Sequence, residues 1–196
     1  MKLPKVTAIL LCAAASAASA AEGPGYTCSL HVDNPKTHRS SSTDDKKSGS
    51  RRSRNLVSTE TVNRTFQWPV SVSFSGKTLP APGSVKLVCH FVGMTEGRMS
   101  IVGTKTIPVT LDAKGALKTV VESPTETMVH KKTMKTTRRR RGGGSSSTRS
   151  ETTGTRMVGC IMQLMVNGKV ERAFASQSKW SRHAMKSPLP EEEILK

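Results

Sequence analysis

Residues 21–180 predict an all-β domain built as a two-sheet β-sandwich, on three observations. From residue 66 to 74 and again from 85 to 91, every second residue is apolar, the period of a strand with one face on a core. Two apolar runs, 158–166 and 170–175, flank Asn167-Gly168, a dipeptide whose tolerance of positive φ makes it a hairpin turn. Roughly seven such short strands follow one another with no internal repeat and no long segment of helical period.

Met1-Lys2-Leu3-Pro4-Lys5, an apolar run over residues 6–15 and the small residues ending Ala18-Ser19-Ala20 read as a secretory signal peptide covering residues 1–20. That run is too short to span a bilayer and no later one is long enough, so the chain is expected not to be transmembrane. A first strand over 26–32 puts Cys28, Leu30 and Val32 on one side, and Asn34-Pro35 ends it. Residues 34–54 carry almost nothing apolar, which predicts a disordered basic loop. The strand through Phe66, Trp68, Val70, Val72 and Phe74 follows, with Pro69 its one irregularity and an edge piece at 56–62 ahead of it. Beyond a turn at Leu79-Pro80-Ala81-Pro82-Gly83, the next strand aligns Val85, Leu87, Cys89 and Phe91.

Residues 101–111 form another strand, which Pro108 assigns to an edge. Asp112 to Gly115 is a turn, and Leu117, Thr119 and Val121 line a further strand. Residues 127–137 suit a strand with a basic outer surface, and 138–154 a second flexible loop. In the final hairpin a two-residue turn pairs Val166 with Lys169 and Met165 with Val170, which predicts Ile161 opposite Phe174. Apolar residues on both faces of that hairpin imply that it is central or covered. Residues 181–196 read as a loose tail with one helical turn.

Removing the signal peptide removes Cys12 and leaves Cys28, Cys89 and Cys160 in an oxidising compartment. Cys89 and Cys160 both lie in apolar strands and are the expected disulfide. Cys28 is then either a buried free thiol or the handle for an intermolecular bridge, and its pairing with either of the others stays open. The core must be built from aliphatic side chains, because only 4% of residues are aromatic.

A cysteine in Val85-Lys86-Leu87-Val88-Cys89-His90-Phe91, a second in Val158-Gly159-Cys160-Ile161-Met162 and a tryptophan near the first resemble an immunoglobulin-like domain. Trp68 precedes both cysteines, however, and Val158 occupies the position where a tyrosine is usual. The signal peptide, residues 66–74 and 85–93 and the final hairpin are also loosely similar to secreted immunoglobulin-like proteins of bacterial type IV pilus and secretion machinery. That resemblance implies a periplasmic, cell-surface or secreted interaction module whose partner is an envelope or extracellular protein.

No nucleophile elbow, zincin motif or phosphate-binding glycine loop occurs, and none of His31, His38, His90, His130 and His183 stands in a recognisable catalytic pattern. A Cys28-x-x-His31 metal site is disfavoured, because residues three apart on a strand point to opposite faces. The expectation is therefore a non-catalytic binding or adhesion module with no cofactor and no metal. The alternatives are an exported enzyme with dispersed catalytic residues and a purely structural subunit. The net charge of +17 is uneven, and Lys131, Lys132, Lys135, Arg138, Arg139, Arg140, Arg141 and Arg149 form a candidate polyanion-binding arm for anionic glycans or mucin. Nucleic acid is not expected, because no aromatic stacking platform interleaves with the arginines.

Overall fold

A computed structural model describes residues 25–50, 53–138 and 143–195. The expected signal peptide lies outside the described residues. The chain is all-β, with nine strands among those residues: β1 (Tyr26–Val32), β2 (Lys36–Ser50), β3 (Ser53–Gly76), β4 (Val85–Thr95), β5 (Arg98–Pro108), β6 (Ala116–Glu122), β7 (Glu126–Arg138), β8 (Gly144–Val166) and β9 (Lys169–Ala175). Every pairing is antiparallel, and the sheet is open, in the order β1-β3-β7-β8-β4-β5 with β2 and β6 also on β3 and β9 on β8.

β3 and β8 are long enough to serve two regions. The C-terminal half of β3 lies between β1 and β6, and the C-terminal half of β8 lies between β9 and β4, with β5 outermost. Side chains from these two groups share one core: Trp68, Val70, Val72 and Phe74 of β3 with Leu87, Cys89 and Phe91 of β4 and Cys160, Met162 and Leu164 of β8. We call this region the body. The N-terminal halves of β3 and β8 join β2 and β7 in a second region, the arm, ordered β2-β3-β7-β8.

The arm overturns the expectation of disorder for residues 36–50 and 144–154, while residues 51–52 and 139–142 of those expected loops lie outside the described residues. Residues 36–50 are a strand in unbroken register with β3, and residues 144–154 are a strand in unbroken register with β7. Residues 56–62 are not an edge either, since β2 and β7 flank them. Composition misleads here because ladder hydrogen bonds, rather than a large buried face, order these segments. Threonine-rich cross-strand pairs suit a pleated surface. Leu56 opposite Met134 and Val62 opposite Met128 supply the modest apolar contribution.

Pro69 fits inside β3 because of a gap beside it. Its carbonyl accepts a hydrogen bond from Asp33 N–H at 3.0 Å, so the N–H that proline lacks would face the β1–β2 connection, where no strand needs it. The Asn167-Gly168 turn has φ of 50° and 80°, as expected. Val166 and Met165 pair with Lys169 and Val170, but Glu171 is then bulged out, so Phe174 faces Met162 and Ile161 faces Ala175. The one-residue slip turns Phe174 toward the core, where a regular hairpin would have turned it away.

The expected loose tail is folded. A 3₁₀ turn (Ser178–Trp180) leads into α1 (Ser181–Ala184), and α2 (Glu191–Ile194) follows. Trp180, Ala184 and Ile194 are buried with Val92 and Ile161 in a second core on the other face of β4 and β8. Gln163, itself buried, donates to the carbonyls of Ala184 and Lys186 at 2.7 and 2.8 Å and ties the tail to β8.

His90 lies on that tail-facing side of β4, half-buried. Burial lowers its pKa, while a hydrogen bond with Gln163 and the Glu191 carboxylate pull the other way. The unfolded chain therefore takes up a proton near pH 6.5, before the folded chain does. Stability should accordingly fall as pH drops below that value, down to the folded pKa. Thermal melts at pH 7.5 and 5.5 should show a larger acid loss for the wild type than for His90→Gln; equal losses would remove His90 from the account.

Candidate polyanion-binding arm

The expected basic cluster is redistributed by the pleat. Lys131 and Lys135 lie on one face of β7 and Lys132 on the other, because side chains alternate along a strand. On β8, Arg149 faces Thr133 of β7, diagonal to both Lys131 and Lys135, and all four of these cations are exposed. Arg138 ends β7, and Arg139, Arg140 and Arg141 lie outside the described residues. The cluster is also less purely cationic than its sequence suggests, since Glu151 faces Lys131 directly.

Topology adds something that linear order hides. Ser53 of β3 pairs with both Ser50 of β2 and Thr137 of β7. The ends of β2 and β7 and the starts of β3 and β8, namely Ser50, Arg138, Ser53 and Gly144, therefore lie at the same end of the sheet. Strand ends that are far apart in sequence thus meet at one tip. Near it, Lys47 and Arg54 border a cleft floored by Leu56 and Met134 and completed by Ser48 and Thr136. Lys46 lies in the same cross-strand row as Arg149, through Val57 and Thr133. The sequence signal that could have found this was the alternation of Leu56 and Val62 with Met128 and Met134, two short apolar sets needing partners.

At the other end the arm is rooted by a buried carboxylate. Glu126 is 4% exposed; its Oε2 accepts from Met157 N–H at 2.8 Å and its Oε1 lies 3.7 Å from Arg64 Nη1. Strand β8 also carries a bulge here, where Val92 and Gly93 of β4 oppose Gly159 and Met157 and Val158 is left over. Such a bulge bends and twists a strand, and it lies where β8 passes from body to arm.

The cysteines do not form the expected disulfide. Cys28, Cys89 and Cys160 are free thiols. Cys89 faces Met162 and Cys160 faces Phe91, so the two are diagonal neighbours on adjacent strands. A diagonal pair is about 7–8 Å apart, beyond the usual reach of a disulfide. Burial pushes both thiols up to about 12, Cys160 with a further contribution from Cys89, which leaves them protonated and unreactive. Cys28 packs against the core from β1, its thiol also raised by burial, with Arg172 opposing and Glu171 reinforcing the shift.

The histidines are dispersed. His31 bonds Asp33 at 3.0 Å, His38 bonds Gln67 at 3.1 Å, His90 bonds Thr104 at 3.2 Å and His130 bonds Thr152 at 3.0 Å. Among the described residues no three of His, Cys, Asp or Glu gather at metal-binding distance, and no helix is long and apolar enough to cross a membrane. A cleft between β3, β8 and β9 is lined by Asp33, Phe66, Trp68, Phe174 and Ser176. It joins aromatic walls to a single carboxylate.

No protein-family model matches the chain, and no curated protein or solved structure shows significant similarity to it.

Proposed function

We propose that this chain is an exported, non-catalytic binding or adhesion module that contacts anionic glycans or surfaces through the tip of its arm. In this reading the body is an immunoglobulin-like β-sandwich, supported by the core that β3 shares with β4 and β8. The setting is the periplasm or cell surface, within a pilus-like or secretion-associated assembly. The observation that carries the proposal is the meeting of the ends of β2 and β7 with the starts of β3 and β8 at one end of the sheet.

The physics favours the tip over the arm's length. Along the strands, cations alternate with Asp44, Asp45, Glu60 and Glu151, so their fields cancel within a Debye length of about 8 Å. The strand ends at the tip carry Lys47, Arg54, Lys135 and Arg138, and the sequence between those ends adds Arg51, Arg52, Arg139, Arg140 and Arg141. A polyanion bound there releases counterions, which makes affinity fall steeply with salt.

Replacing Arg138, Arg139, Arg140 and Arg141 with serine should shift elution from immobilised heparin or mucin to clearly lower salt. Replacing four lysines exposed on the body, Lys77, Lys105, Lys114 and Lys118, removes the same charge and should shift it far less. Equal shifts would mean that net charge alone governs retention, and the tip would lose its role.

A further inference from the structure

We propose that two copies of this chain associate edge to edge through the arm segment of β8, in antiparallel register about a two-fold axis at Ser150. The arm has two outer edges, and they are built differently. β2 carries Lys36, Arg39, Asp44, Asp45, Lys46 and Lys47, the charged decoration that natural edges use against unwanted pairing. Residues 144–154 of β8 carry one arginine and one glutamate among serines, threonines and glycines, with no proline and no break in register. All of them are exposed. Such an edge offers unguarded backbone donors and acceptors.

Its sequence is self-complementary. An axis at Ser150 sets Arg149 against Glu151 of the second copy and Glu151 against Arg149 of the second copy. Thr148 then faces Thr152, and Ser147 faces Thr153. Moving the axis to Arg149 or to Glu151 brings two like charges face to face, so charge selects one register. Within each chain Lys131 already faces Glu151. Docking would flank every Glu151 with two cations, Lys131 of its own chain and Arg149 of the other. An isologous contact of this kind closes on itself as a dimer, and the resulting sheet runs β2-β3-β7-β8-β8-β7-β3-β2.

Sedimentation equilibrium of the purified chain, without polyanion, tests the contact. The wild type should show a monomer–dimer equilibrium. Arg149→Glu and Glu151→Arg should each weaken it at least about tenfold, since each turns two attractive pairs repulsive. An equimolar mixture of the two variants should associate, because one copy then presents two acids and the other two bases. The double substitution R149E/E151R should regain dimerisation relative to either single variant, short of the wild type because E151R sets a cation against Lys131. Rescue in these two arms cannot arise from misfolding.

A wild type that stays monomeric, single variants that dimerise normally, or a mixture that fails to associate would each overturn the proposal. So would a dimer indifferent to both variants but lost with Lys46→Glu, which would locate the contact at β2. The readout is oligomeric state, so its failure leaves heparin retention by the tip untouched.

Discussion

Replacing Trp180 with alanine is expected to destabilise the protein by about 3–5 kcal/mol, the largest effect of any single substitution considered. Trp180 is 1% exposed and packs with Val92, Ile161, Ala184 and Ile194. Its indole N–H donates to the Ile194 carbonyl at 3.0 Å, which holds α2 against α1. A side chain on Gly159 would come within 2.8 Å of the ring, so β8 keeps a glycine there to seat it. Alanine would leave a cavity too well framed to collapse and would strand the Ile194 carbonyl. The melting temperature should fall by on the order of 10 °C. Trp180→Phe should lose less, since it keeps most of the volume, and Lys179→Ala should be nearly neutral. Urea denaturation would measure the loss; a value under about 1 kcal/mol would mean that the tail does not contribute to the fold.

The second large effect belongs to the root of the arm. Arg64→Ala leaves the Glu126 carboxylate buried with only the Met157 N–H as partner, and breaking a buried pair from one side costs about 3 kcal/mol or more. The Arg64 side chain is 32% exposed, which argues for the lower end of that range because solvent screens the pair. Glu126→Gln in the Arg64→Ala background should recover part of the loss, since it removes the uncompensated charge. A double-mutant cycle measures the coupling. Additive effects would show that the two residues act separately. Hydrogen exchange should quicken first around residues 126–128 and 154–157, where β7 and β8 leave the body.

Most of the body was legible from alternation. The inward faces of β1, β4 and the C-terminal half of β3 are those that the period of two assigns, and Asn167-Gly168 made its turn. Three things were not legible, each for a physical reason. Strands in the arm bury little apolar area, so a hydrophobicity test passes over them although their backbones pair throughout. The tail's anchor is one tryptophan in polar sequence, and a single large ring leaves no periodic trace. The bulge at Glu171 and the diagonal of Cys89 and Cys160 depend on register, which hydrophobic pattern constrains only to one face or the other. As for the candidate site, its cations were visible individually. Their division between two faces, and the meeting of two distant segments at one tip, follow from strand pairing alone.

Because β3 and β8 each run as one strand from arm to core, the backbone is continuous across that junction despite the bulge at Val158. Tension applied at the far end would run along covalent backbone into the interior and be resisted as shear across many ladder hydrogen bonds at once. A flexible basic loop would instead stretch entropically and yield. The continuity of these two strands makes the arm a stiff extension about 40 Å long, from the rise of the twelve residues or so between Ser53 and Arg64.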